Sequence, residues 1–152
     1  MLVGMERVAL AVVLALVALG VAALLQRRQH PDAPVRTGYL LPAQLDRADF
    51  ARPDAPWLVA VFTSATCSTC QGVWERAQPV ASDAVVVQEL EYQADRAVHD
   101  RYGIEAVPTT LVADVDGVVA ASFIGPVTAT DLWAAVAEAR EPGSTPGGCA
   151  PG

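Results

Sequence analysis

The chain has 152 residues, of which 53% are hydrophobic, and its formal net charge is −7. All ten basic residues are arginine, which excludes chemistry that needs a lysine amine, such as Schiff-base formation. From Thr37 onward, acidic residues outnumber arginines by fifteen to six, and such a surface repels phosphate backbones. We therefore expect no nucleic-acid partner.

Residues 8–25 form an apolar run of eighteen residues without a charged side chain. A helix of that length spans roughly 27 Å, enough to cross the hydrocarbon core of a bilayer. We therefore predict a single transmembrane anchor over residues 1–26. A cleaved signal peptide is the alternative, because Val21, Ala22 and Ala23 resemble a cleavage site.

The charges beside residues 8–25 bear on which side of the cell membrane the remaining chain lies. Arg27, Arg28 and Arg36 follow the run, whereas Arg7 is the only arginine before it. The positive-inside rule then favours the cytoplasmic side by a narrow margin. An extracytoplasmic domain stays open as the alternative.

Hydrophobic spacing predicts the elements that follow the anchor. Residues 27–39 are polar with two prolines and are predicted to form a linker. Residues 42–50 place Leu45 and Ala48 on one side of a predicted short helix. The nearly continuous apolar run over residues 57–63 is typical of a central strand that is buried on both faces.

The second half of the chain predicts further helices and strands. In chain order they are a helix over 70–79, a strand over 84–92, a helix over 95–102, strands over 109–113 and 118–124 that form a hairpin, and a helix over 128–140. This order predicts one α/β domain over residues 40–140, with a mixed central sheet flanked by helices. Residues 141–152 are rich in Pro, Gly and Ser and are predicted to be a disordered tail.

Cys67 and Cys70 form a Cys-Ser-Thr-Cys motif at the start of a predicted helix, directly after the strand. Thiols at this spacing can close into a disulfide and reopen, and a helix N-terminus favours a thiolate at the first cysteine. A zinc site is the alternative, but Cys149, His99 and His30 do not supply the missing ligands at a recognisable spacing. We therefore expect neither a metal nor a cofactor.

Three segments together resemble the thioredoxin superfamily: WLVAVFTSATCSTC over residues 57–70, RYGIEAVPTT over 101–110 and DGVVAASFIG over 116–125. The resemblance covers about residues 40–140 and implies a thioredoxin-like fold. It also implies a thiol–disulfide oxidoreductase that reduces or oxidises protein disulfides. The expected partners are then a protein dithiol or disulfide substrate and a separate redox partner.

The resemblance also implies roles for single residues. Cys67 would be the nucleophile, and Cys70 would be the buried resolving thiol. Pro108 would be a cis-proline beside the disulfide. Val107 would offer its backbone groups to an extended substrate, and Gly125 would let the substrate chain approach closely.

The chain departs from the family pattern at three positions around the cysteines. Thr66 replaces the usual tryptophan before the first cysteine, which removes an aromatic wall from the substrate surface. Val61 replaces the buried aspartate of reducing thioredoxins. Glu89 lies where a lysine is common, and it could act as the proton shuttle for the resolving thiol. The alternative is that Glu89, like Glu91, only caps the end of a strand.

Ser68 and Thr69 separate the two cysteines in place of Gly-Pro. Their hydroxyls can donate to the Cys67 thiolate, which stabilises the reduced form and makes the disulfide more oxidising. The direction of electron flow therefore stays open. The alternative function is a non-catalytic module at the membrane, which binds proteins through the same groove while its cysteines are idle.

Four side chains outside these motifs also carry expectations. His99 is predicted to lie on the surface, and Trp74 and Trp133 are predicted to pack into the core. Cys149, in the tail, is interpreted as incidental, with a mixed disulfide to Cys67 as the alternative.

Overall fold

The computed structural model describes residues 40–144. The predicted anchor over 1–26, the predicted linker over 27–39 and most of the predicted tail lie outside the described residues. Between residues 40 and 144, no helix has both the length and the apolar character that a membrane crossing requires.

A mixed sheet of four strands forms the centre of the fold, in the order β2-β1-β3-β4. Strand β1 pairs parallel with β2 and antiparallel with β3, and β3 pairs antiparallel with β4. The predicted strands and the predicted hairpin are therefore confirmed. Their bounds are Trp57–Thr63 for β1, Val85–Glu91 for β2, Thr109–Asp114 for β3 and Val119–Ile124 for β4.

Three α-helices pack on this sheet: α1 (Cys70–Ala77), α2 (Arg96–Tyr102) and α3 (Ala129–Arg140). The chain continues past α1 as a 3-10 turn, Gln78–Val80, because Pro79 has no N–H for an α-helical hydrogen bond. The Thr128 side chain caps α3 by accepting a hydrogen bond from the backbone N–H of Asp131 at 3.1 Å. All three helices were predicted to within about two residues at each end.

Alternate residues of β1 face two separate hydrophobic clusters, one on each side of the sheet. Val59 and Val61 belong to the cluster that α1 and α3 cover, and both side chains are fully buried. Leu58 and Phe62 belong to the other cluster, which includes residues of α2. The period-two alternation thus explains why the apolar run is buried on both faces.

The segment before β1 contains one 3-10 turn, Arg47–Asp49, in place of the helix predicted over residues 42–50. Backbone hydrogen bonds to the β3–β4 hairpin explain the difference. The Leu45 N–H donates to the Gly117 carbonyl at 2.8 Å, and the Val119 N–H donates to the Ala43 carbonyl at 3.0 Å. These bonds hold residues 43–45 extended, because the same backbone groups cannot also form helical hydrogen bonds.

The Arg47 side chain is buried and links the segment before β1 to the rest of the domain by hydrogen bonds. Its guanidinium donates to the carbonyls of Ala55 at 3.0 Å, Asp114 at 2.8 Å and Arg52 at 3.3 Å. Burial lowers the pKa of the Arg47 guanidinium. Backbone carbonyls, rather than a carboxylate, accept these hydrogen bonds, while the buried Nε has no partner within the described residues.

Two side chains lie opposite to their predicted locations. His99 was predicted on the surface but is 1% exposed, since Phe62 and Tyr92 pack edge-on against its ring and its Nε2 donates to the Leu90 carbonyl at 2.9 Å. Trp133 was predicted in the core but is 49% exposed, because Leu132 and Val136 form the buried face of α3.

Candidate active site

Strand β1 leads directly into the loop that carries the two cysteines. Cys67 and Cys70 form a disulfide with an S–S distance of 2.13 Å. Cys67 is half-buried, whereas Cys70, at the first position of α1, is only 2% exposed. An attacking sulfur can therefore reach Cys67 and not Cys70.

Hydroxyl groups and backbone hydrogen bonds shape the loop around Cys67. Its N–H donates to the Ser64 carbonyl at 3.0 Å, and the Thr69 hydroxyl lies 3.6 Å from its Sγ. Thr66 and Ser68 are exposed beside it. The surface around the outer sulfur is consequently polar and has no aromatic side chain directly before Cys67.

The Val107–Pro108 peptide is cis, as the resemblance implied. Phe62 of β1 lies opposite Thr109 of β3. Pro108, which precedes Thr109, therefore lies at the same end of the sheet as the loop that carries the cysteines. Within the described residues, the N–H and C=O of Val107 make no hydrogen bonds. These two backbone groups are thus available to an extended peptide.

Gly125 lies beside this proline at the end of β4. Its N–H donates to the Pro108 carbonyl at 2.7 Å. Its φ of 88° favours glycine, and no heavy atom lies within 4 Å of the position that a Cβ would take. The open space at Gly125 leaves room for the close approach that the resemblance implies.

A cavity of about 400 Å³ opens beside the disulfide, and both cysteines line it together with Thr63 and Glu89. The Thr63 hydroxyl donates to Oε1 of Glu89 at 2.9 Å. A larger cavity of about 570 Å³ lies near Tyr102 at the opposite end of the sheet, and no cysteine lines it. The chemistry of the side chains, rather than the volume, identifies the smaller cavity as the candidate site.

Glu91 also lines the cavity, and the sequence suggested only a strand cap there. Its carboxylate accepts hydrogen bonds from the amides of Ala65, Gln93 and Ala94. These bonds lower the pKa of Glu91, and the Ala65 bond has the largest effect. No local sequence signal marks the bond to Ala65, because that partner is 26 residues away.

No family model and no curated protein matches the chain. Solved structures do match it. A mutant thioredoxin of Halobacterium salinarum is 21% identical, with a TM-score of 0.53 over 60% of this chain and 80% of that chain. Deadhead, the germline-specific thioredoxin of Drosophila melanogaster, is 21% identical, with a TM-score of 0.50 over 57% of this chain and 83% of that chain. The chain has a thioredoxin fold.

Within this thioredoxin fold, the residues singled out from the sequence lie around one end of the sheet. The disulfide and Glu89 share a cavity, while Val107, Pro108 and Gly125 lie at the ends of the neighbouring strands. Val61, which the resemblance matches to the buried aspartate of reducing thioredoxins, is opposite Glu89 in the β1–β2 register and is fully buried. Within residues 40–144, no group of three His, Cys, Asp or Glu side chains is arranged to hold a metal ion.

Proposed function

We propose that this chain is a membrane-tethered thiol–disulfide oxidoreductase that acts on protein disulfides. The observation that carries the proposal is the unequal exposure of the two bonded cysteines. Cys67 is partly exposed, whereas Cys70 is only 2% exposed. The cis peptide at Pro108 lies at the same end of the sheet as the cysteine loop. This arrangement suits a dithiol that uses one sulfur for attack and the other for release.

In the first proposed step, the reduced Cys67 thiolate attacks one sulfur of a substrate disulfide. A Cys67–substrate disulfide forms, the substrate S–S bond breaks, and the second substrate sulfur leaves as a thiolate. The amino end of α1 and the Thr69 hydroxyl, 3.6 Å from Cys67 Sγ in the disulfide form, favour the Cys67 thiolate. The free backbone groups of Val107 hold the substrate segment extended, and the space beside Gly125 accommodates it.

In the second proposed step, Cys70 attacks the Sγ of Cys67. The Cys67–Cys70 disulfide forms, the mixed disulfide breaks, and the substrate sulfur leaves as a thiolate. The thiol proton of Cys70 passes to the Glu89 carboxylate, since both groups line the same cavity. A separate dithiol partner then reduces the enzyme again, and the reverse sequence oxidises substrates.

The membrane tether in this proposal rests on the sequence of residues 8–25. A tether confines the enzyme to substrates and redox partners at the membrane. The charges beside the run favour a cytoplasmic domain. A tag fused after Gly152 tests this directly: protease removal of the tag from intact cells contradicts a cytoplasmic domain.

One alternative is a non-catalytic thioredoxin-fold module that binds proteins at the membrane. Thr66 and Val61 favour it, because an aromatic substrate wall and a buried proton acceptor are missing at these positions. Both roles predict that the chain binds extended segments. Only the oxidoreductase role requires Cys67 to form and break a disulfide bond in each catalytic cycle.

Catalysed reduction of insulin disulfides by a dithiol reductant separates the two roles. The full-length chain in detergent micelles carries Cys149→Ser, so that Cys67 and Cys70 are its only thiols. We expect this protein to accelerate insulin reduction, and we expect the added substitution Cys67→Ser to abolish the acceleration. Equal rates with and without Cys67 would leave only the binding role.

A further inference from the structure

Thr63 and Glu89 form a hydrogen-bonded pair in the cavity that both cysteines line. The Thr63 side chain is 2% exposed, and its Oγ1 lies 2.9 Å from Glu89 Oε1. A carboxylate oxygen can only accept, so the threonine hydroxyl donates. Within the described residues, this is the one hydrogen bond of the Glu89 side chain, and the second carboxylate oxygen has no partner there.

The location of Thr63 and Glu89 explains why the orientation of the Glu89 carboxylate matters for proton transfer from Cys70. Val61 faces Glu89 across the β1–β2 register, so the usual acidic position on β1 offers no proton acceptor to the buried Cys70. Glu89 comes from the neighbouring strand, and its side chain has several rotatable bonds. A fixed donor on one oxygen removes much of this freedom and keeps the carboxylate in the cavity that Cys70 lines.

We propose that Thr63 is a positioning residue whose hydroxyl holds the Glu89 carboxylate where it receives the thiol proton of Cys70. The inference rests on the proposed function and concerns only its second step. During that step the Cys70 S–H bond breaks and its proton moves to Glu89. The Cys70–Cys67 bond forms, and the electron pair of the mixed disulfide leaves with the substrate sulfur.

The chain offers matched variants for a test. Thr63→Val keeps the shape of the side chain and removes the donor, whereas Thr63→Ser keeps the donor. Thr110 is a second buried threonine, opposite Val61 on β3, and its hydroxyl has no partner within the described residues. Thr110→Val therefore removes a buried hydroxyl near the site without affecting the bond to Glu89.

The reaction of the reduced chain with dithiobis(nitrobenzoate) resolves the two steps. The full-length protein in detergent again carries Cys149→Ser. The first nitrobenzoate thiolate is released when Cys67 attacks, and the second is released when Cys70 displaces the mixed disulfide. Stopped-flow absorbance records both releases at neutral pH.

We expect Glu89→Gln to slow the second release about 100-fold at neutral pH, a size typical of general-base catalysis, and to leave the first unchanged. Thr63→Val should slow the second release about 10-fold, since the carboxylate loses a charge-assisted hydrogen bond. Thr63→Val should leave the first release unchanged, because Thr63 acts only through Glu89. Thr63→Ser should restore the rate of the second release.

Two results would overturn the inference. One is a second release with an unchanged rate in Thr63→Val. The other is an equal slowing in Thr110→Val, which would indicate a general loosening of the buried threonines. A first release no faster than in the unfolded chain would instead contradict the proposed function itself, and the inference with it.

Discussion

Glu91 accepts a hydrogen bond from the amide of Ala65 at 3.0 Å, which joins the end of β2 to the loop that presents Cys67. Its other carboxylate oxygen accepts from the amides of Gln93 at 2.8 Å and Ala94 at 3.1 Å. One carboxylate thus orders the cysteine loop and the turn before α2 together. This dual contact makes the ionisation of Glu91 relevant to the stability of the site.

The lowered pKa of Glu91 predicts how stability depends on pH. Because the folded pKa lies below the ordinary value of 4.5, the carboxylate contributes its full stabilisation above that value. The contribution is lost as the pH falls through the lowered folded pKa. We therefore expect Glu91→Gln to reduce the unfolding free energy at neutral pH, with a difference from the parent chain that shrinks on acidification.

Urea unfolding between about pH 7 and pH 3 measures this difference across the range in which free carboxylates titrate. Glu105→Gln is the matched control, because Glu105 is exposed and makes no hydrogen bond within the described residues. A Glu91→Gln difference that stays constant down to the lowest pH would show that its ionisation does not stabilise the fold.

Tyr102 joins α2 to the segment before β1. Its hydroxyl donates to Asp49 at 2.5 Å and accepts from the backbone N–H of Asp46 at 2.9 Å. We expect Tyr102→Phe to reduce the unfolding free energy by about 1 kcal/mol at neutral pH. Burial, followed by the bond to Asp49, raises the pKa of Tyr102, so the stabilisation is present below the ordinary value of 10.0.

This stabilisation is lost as the pH rises through the raised pKa of Tyr102, so the parent chain and Tyr102→Phe should converge in alkali. Denaturant unfolding at neutral and alkaline pH provides the measurement. Tyr92→Phe is the control, since the Tyr92 hydroxyl makes no hydrogen bond within residues 40–144. A difference in unfolding free energy between the parent chain and Tyr102→Phe that grows in alkali would contradict the assigned role of the Tyr102 hydroxyl.

Thr110 leaves a buried hydroxyl without a hydrogen-bond partner among the described residues. Burial of such a group costs free energy that an apolar isostere avoids. We expect Thr110→Val to increase the unfolding free energy by about 1 kcal/mol. Thr109→Val should have the opposite effect, because the Thr109 hydroxyl donates to the Ala106 carbonyl at 2.8 Å. Equal destabilisation by the two variants would contradict this account of Thr110.

The central elements were predictable because their signals are local. The apolar run of β1, the Asp116-Gly117 turn of the hairpin and the Thr128 cap of α3 each determine an element from adjacent residues. The cysteine spacing likewise marked the site. Successive side chains of β1 face the two hydrophobic clusters in turn because a strand has a period of two residues. This alternation could be predicted without knowing which elements cover the sheet.

Long-range contacts account for the elements and side chains that the sequence did not predict. The predicted first helix was replaced by pairing with a hairpin more than 70 residues away, as the contact between Gln44 and the Asp116 carbonyl also shows. His99 is buried because Phe62 and Leu90, on two different strands, surround it. The bonds of Glu91 to Ala65 and of Thr63 to Glu89 likewise join residues 26 positions apart.

The reactivity of Cys67 towards iodoacetamide tests the central claim most directly. The full-length chain with Cys149→Ser and Cys70→Ser is reduced, and its alkylation rate at neutral pH is measured folded in detergent and unfolded in guanidinium chloride. We predict a rate at least about 10-fold higher in the folded chain, because the helix N-terminus and the neighbouring hydroxyls favour the thiolate. A folded Cys67 that reacts no faster than the unfolded one would contradict the proposed redox activity.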